Sequence, residues 1–103
     1  MAARQSPEPG PTSSTRGPLL EYVTIPECAD CRRFEALLER VLPDYPEVEV
    51  REVAAETARG MAISVERGAL RFPVIVLDDQ VIAVESVAEP AFRAAVDARR
   101  DGR

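Results

Sequence analysis

The 103-residue chain contains no histidine, no lysine and no tryptophan, and only two cysteines. Each absence removes a class of chemistry. Without histidine there is no Ser-His-Asp triad, no Cys-His dyad and no imidazole-ligated metal. Without lysine there is no Schiff base and no phosphate-binding P-loop. Two cysteines cannot form a disulfide framework that replaces a hydrophobic core. Long apolar runs are missing too. The longest, Phe72 to Leu77, has six residues, against the ~20 of a membrane-spanning helix. Thirteen arginines face eighteen acids, for a net charge of −5. That balance opposes general nucleic-acid binding, which requires a basic face. The chemistry left open belongs to thiols, carboxylates, hydroxyls and guanidinium groups, and it calls for no bound cofactor.

What is present is enough for one small domain, with 46% apolar residues to build a core. Residues 1–17 hold prolines, glycines and a Ser/Thr cluster, and no aliphatic side chain larger than alanine after Met1. They cannot bury enough surface to offset the entropy of ordering, so a disordered tail is expected there, with the domain over residues 18–103. The tail lacks the apolar stretch of a secretory signal, which leads to the expectation of a cytoplasmic protein. In that compartment a disulfide is more often catalytic than structural.

From Pro18 onward the pattern is regular. Leu19 to Ile25 is apolar and β-branched and predicts a strand closed by Pro26. Phe34, Leu37, Leu38, Val41 and Leu42 form a helical stripe that Pro43 and Pro46 end. Val48, Val50 and Val53 predict a strand over 48–54. Ala58, Met61, Ala62 and Val65 share one face of a second helix, with Gly68 as its terminator and Leu70 as the apolar contact beyond it. Gly60 inside that helix is a weak point, costing about 1 kcal/mol relative to alanine. Pro73 to Leu77, the turn Asp78-Asp79-Gln80, and Val81 to Glu85 read as a hairpin. A last helix begins near 88–90 and buries Phe92, Ala95 and Val96. The order βαβαββα implies an α/β fold whose four-stranded mixed sheet has helices on both faces: parallel pairing first, then an antiparallel hairpin at the edge.

Chemistry concentrates at Cys28-Ala29-Asp30-Cys31, at the junction of the first strand and first helix. Unpaired N–H groups and the dipole at a helix start favour a thiolate on Cys28. Cys31 lies one turn deeper, within reach of a disulfide. The outer sulfur is therefore the expected nucleophile and the inner one the resolving thiol. Glu27 and Asp30 oppose a thiolate, Arg32 and Arg33 favour it, and no imidazolium is available. The lowering of the Cys28 pKa should be moderate, as in a reductant rather than a strong oxidant. Two other uses of the pair stay open: a zinc site shared by two chains, since one chain lacks four ligands, and an inert binding module.

The strand LLEYVTI, the loop PECADC, the helix FEALLERVL and the segment ERGALRFPVIVLDDQVIAV together resemble the thioredoxin/glutaredoxin superfamily, over roughly residues 18–100. The short build is similar to the small glutaredoxin-like thioredoxins. The resemblance implies a thioredoxin-like fold and a thiol-disulfide oxidoreductase working through a dithiol. It also implies that Pro73, five residues after Gly68, is a cis-proline beside the cysteines. The Phe72 backbone would then pair with a substrate peptide. A substrate groove of Pro26, Glu27, Ala29, Asp30, Arg71, Phe72 and Pro73 follows. Expected partners are a disulfide-bearing protein or small thiol and an external reductant, with no nucleic acid or membrane, and the protein itself is expected to be a monomer. Several features depart from the family pattern. Glu-Cys-Ala-Asp-Cys replaces Trp-Cys-Gly-Pro-Cys. Tyr22 stands where thioredoxins place a buried acid, with Glu21 on the opposite strand face. The Gly-Gly-x-Asp signature is absent after the hairpin.

Phe72 has an alternative as a core residue, and Arg71 as a solvated one. Asp78 and Asp79 are explained by turn chemistry rather than by a divalent cation. Tyr22 and Tyr45 read as packing residues.

Overall fold

The computed structural model describes residues 17–68 and 71–101. The tail expected over residues 1–17 lies outside these apart from Gly17, and so does the contact expected of Leu70. The elements are β1 (Leu19–Thr24), α1 (Ala29–Val41), a 3₁₀ turn (Leu42–Asp44), β2 (Glu49–Ala54), α2 (Ala58–Arg67), β3 (Val74–Leu77), β4 (Gln80–Val84) and α3 (Glu89–Asp101). The strands form one sheet in the order β2-β1-β3-β4. β1 runs parallel to β2, with Thr24 opposite Ala54, and antiparallel to β3, with Val23 opposite Val74. A register shift at Ile75/Val76 interrupts the β3–β4 ladder. The fold is the four-stranded mixed α/β architecture that the element order implies.

Strand alternation divides the core into two layers. Leu20, Tyr22, Ile75 and Leu77 point to one face and meet Phe34, Leu37, Leu38 and Val41 of α1 and Phe92 and Val96 of α3. Val23, Val74 and Val76 point to the other face, with Val53 and Ile63. Phe34 makes edge-to-face ring contacts with Tyr22 and Phe92. Phe92 is fully buried, and a cut to alanine there should cost about 3–5 kcal/mol. Tyr45 packs as expected, buried beneath the Arg93 and Arg100 guanidinium groups.

Three local readings are corrected. β1 stops at Thr24, and Ile25 beyond it is 40% exposed. α1 stops at Val41, and Pro43 sits inside the 3₁₀ turn that continues it. The third correction concerns the face of α2. Ala58, Met61, Ala62 and Val65 all lie outward, whereas Gly60 and Ile63 are buried. A Cβ on Gly60 would overlap the Ala54 carbonyl oxygen and lie 2.8 Å from the Ala55 Cα. The helix rests on the strand end through its glycine, and that approach sets its rotation. Gly60 is therefore a packing requirement and not a weak point. Thr57 caps α2 by accepting the Gly60 N–H at 3.0 Å, and Gly68 ends it with a left-handed φ of 61°.

Candidate redox site

Cys28 and Cys31 are joined by a disulfide at the start of α1. Cys28 is the N-cap, with extended backbone, and its Sγ accepts the Cys31 N–H at 3.0 Å. A sulfur takes the place that Ser or Asp usually fills at a helix start. Cys31 is buried and Cys28 half-exposed. The outer cysteine is partly open to solvent while the inner one is enclosed by protein.

The segment before β3 closes the site from the side. The Cys28 Sγ lies 3.8 Å from the Phe72 carbonyl oxygen. The Phe72–Pro73 peptide bond is cis. Pro73 is fully buried, so of the residues assigned to the groove it contributes support rather than surface. Phe72 is half-buried and packs against the layer beneath α2 while its carbonyl faces the sulfur. Pro26, Glu27, Ala29 and Arg71 are exposed, and Asp30 is half-buried. Arg71 Nη1 donates to both Glu85 carboxylate oxygens, at 3.0 and 3.2 Å. The Glu85 N–H in turn donates to the Pro73 carbonyl at 2.8 Å. Glu85 and Glu27 both hold left-handed backbone, at φ 78° and 54°. Asp30 is paired with Arg33, and Glu35 with Arg32 at 3.8 Å.

Two groups escaped the sequence reading. Tyr22 is more than a packing residue, because its hydroxyl donates to Glu35 at 3.1 Å. Burial and then the Glu35 charge push its pKa up, which keeps the phenol protonated. Thr24, also buried, donates to Glu52 at 3.0 Å. On the opposite sheet face Glu21 is 3% exposed and held by Arg59 through two contacts, 2.7 and 3.1 Å. The same guanidinium reaches Asp79 at 2.7 Å. The Glu21 and Asp79 hydrogen bonds push the Arg59 pKa further up. The face of Glu21 was foreseeable from strand alternation, but its partner, 38 positions away, was not. Asp78 and Asp79 form the hairpin turn with positive φ at both. Asp78 accepts the Leu19 N–H at 2.9 Å. Among the described residues no group of three or more His, Cys, Asp or Glu is arranged to hold a metal ion. No helix among them is long and apolar enough to cross a membrane.

The comparisons with known proteins agree with this geometry. A family model described as glutaredoxin matches residues 20–82, from β1 through the cysteine pair into β4. The chain belongs to the glutaredoxin family. No curated protein matches the chain significantly in sequence. Among solved structures, the oxidised thioredoxin O2 of Arabidopsis thaliana is 14% identical over 85% of this chain and 79% of that one, with a TM-score of 0.61. Fasciola hepatica thioredoxin is 16% identical over 82% of both chains, with a TM-score of 0.59. The oxidised mitochondrial thioredoxin 3 of Saccharomyces cerevisiae is 17% identical over 84% and 83%, also at 0.59. At these identities they establish a thioredoxin-like fold. Family membership and the Cys28–Cys31 disulfide together support thiol-disulfide redox chemistry in general.

Proposed function

We propose that this glutaredoxin-family chain reduces disulfides by a dithiol mechanism, with Cys28 as nucleophile and Cys31 as resolving thiol. The observation that carries the reading is the asymmetry of the pair. Cys28 is half-exposed at the helix start and accepts a backbone N–H, and Cys31 is buried one turn in. In the reduced protein the same N–H and the helix dipole favour a thiolate on Cys28. That thiolate attacks one sulfur of a substrate disulfide, forming a mixed disulfide and releasing the other sulfur as a thiolate that takes up a proton. Cys31 then loses its proton and attacks the Cys28 Sγ. The second substrate sulfur leaves, and the protein disulfide forms. Two electrons pass from the protein dithiol to the substrate, and an external dithiol must return them.

The exposed groove residues Pro26, Glu27, Ala29 and Arg71, with Asp30 and the Phe72 backbone, would receive the substrate chain. The acidic net charge speaks against a nucleic-acid partner, and the same reading takes the protein as a cytoplasmic monomer without membrane partners. Turnover tests the reading directly. With dithiothreitol as donor, the protein should accelerate reduction of a protein disulfide such as that of insulin, and Cys28→Ser should abolish the acceleration. Equal rates with and without the native protein would overturn it.

A further inference from the structure

Phe72 presents its carbonyl oxygen 3.8 Å from the Cys28 Sγ, and both of its chain neighbours are tied to one residue, Glu85. Each tie uses a different group. The Glu85 N–H donates to the Pro73 carbonyl at 2.8 Å. That bond continues the β3–β4 register one pair beyond Val74 opposite Val84. The Glu85 carboxylate accepts from Arg71 Nη1 with both oxygens, at 3.0 and 3.2 Å. Glu85 itself holds left-handed backbone, φ 78°, just past the end of β4. Glycine adopts that region freely, whereas an L side chain is penalised there. The ion pair does little to offset the penalty. The Arg71 side chain is 70% exposed and the Glu85 side chain 39%, and exposed pairs contribute little. Even after its larger entropy loss on folding, glycine would serve the fold at least as well. Stability therefore does not account for a glutamate at this position, and such a residue beside a reactive group calls for another account.

We propose that Glu85 is a positioning residue for disulfide reduction: with its N–H on Pro73 and its carboxylate on Arg71, it brackets Phe72 and fixes the backbone that a substrate chain meets beside Cys28. The proposal rests on the redox reading above, in which the Phe72 backbone receives the substrate chain. The N–H bond secures only the Pro73 side. β4 ends at Val84, and the left-handed Glu85 turns the chain out of the strand, so the hold on the Arg71 side comes from the carboxylate. A disulfide carried on a polypeptide gains from a backbone whose freedom is already reduced. A small disulfide with no peptide bond reacts at Cys28 without using that backbone. Removing the carboxylate should therefore weaken binding of the first and leave the second alone. Once the polypeptide is bound, the exchange chemistry should be unchanged.

The test compares the native protein with Glu85→Ala, which keeps an L residue on the same backbone and removes only the carboxylate. Pre-reduced full-length protein is mixed in single turnover with excess insulin, or with bis(2-hydroxyethyl) disulfide, which has no peptide bond. Alkylation mass shifts report the oxidation of Cys28 and Cys31. At low ionic strength Glu85→Ala should raise the half-saturating insulin concentration about threefold and leave the limiting rate unchanged. Its rate with bis(2-hydroxyethyl) disulfide should stay within about 1.5-fold of the native one. High salt should remove most of the difference with insulin. In an Arg71→Ala background, Glu85→Ala should have no further effect. Glu85→Gly should unfold in urea at or above the native midpoint and still bind insulin about threefold more weakly. The positioning role is overturned by a half-saturating concentration within about 1.5-fold of native, or by an equal loss with both disulfides. A loss that persists undiminished in high salt or in the Arg71→Ala background, or a Glu85→Gly variant less stable than native, overturns it as well. If the native protein is oxidised by neither disulfide, the redox reading itself fails and the positioning role falls with it.

Discussion

Glu27 sits directly before the nucleophile with φ 54°. That backbone region costs an L residue roughly 1–2 kcal/mol, and a β-branched one more. Glycine adopts it freely but gives back part of the gain through the unfolded chain. Glu27→Gly should therefore be neutral or stabilise by up to about 1 kcal/mol, while Glu27→Val should destabilise by at least about 1 kcal/mol. Urea unfolding of the two variants measures the difference. Glu21 presents the opposite case, a buried carboxylate kept by one half-exposed guanidinium. Arg59→Leu should cost about 2 kcal/mol, less than the loss of a fully buried partner because water reaches Arg59. Glu21→Leu combined with Arg59→Leu should recover most of that loss, as a double-mutant cycle will report. Residue types and strand parity made the placing of Glu21 and Tyr22 legible. Their partners Arg59 and Glu35 were not, because contacts 38 and 13 positions apart depend on how α2 and α1 cross the sheet.

Among the elements, α2 shows where periodicity misleads. Its most regular apolar stripe faces solvent, with Met61 54% and Val65 72% exposed. The buried face consists of Gly60 and Ile63, too few apolar positions to stand out as a stripe. A close backbone approach leaves no hydrophobic signature, because the residue that permits it has no side chain. Two effects compete at Gly60→Ala. Helix propensity favours alanine by about 1 kcal/mol, and overpacking against the Ala54 carbonyl costs about 1–3 kcal/mol. Since the obstructing atoms belong to backbone, overpacking should win, with a net loss of at least about 1 kcal/mol. Met61→Lys with Val65→Glu should change stability by no more than about 0.5 kcal/mol. Denaturation midpoints that reverse this order would place the stripe inside. β1, β3 and the hairpin were legible because both core layers draw on them, giving dense apolar runs bounded by Pro18, Pro26 and Asp78-Asp79. The end of α1 was legible to within the 3₁₀ turn, since proline at the start of such a turn is tolerated.

For the molecule as a whole, two packed layers sit on one sheet, and the disulfide lies at the edge of this assembly. The bridge closes a loop only three positions long, so it constrains the unfolded chain little. Phe92, Leu20, Ile75 and Val41 are fully buried and are independent of it. Reduction should accordingly shift Tm by only a few degrees. Calorimetry with and without dithiothreitol will show this, and loss of the transition on reduction would mean that the bridge holds the core. A fold that keeps its shape in both redox states is what a dithiol cycle requires. The cysteine pair and its place at a helix start were legible from spacing and from Pro26. The ion pairs around it were not, because Arg71 meets Glu85 and Arg40 meets Glu89 only after the hairpin and α3 have packed. The most direct test of the redox assignment is trapping with single-cysteine variants. Cys31→Ser, incubated with disulfide-bearing proteins, should accumulate mixed disulfides at Cys28 that dithiothreitol releases, and Cys28→Ser should accumulate none. Trapping by Cys28→Ser alone, or by neither variant, would contradict the roles assigned to the two sulfurs.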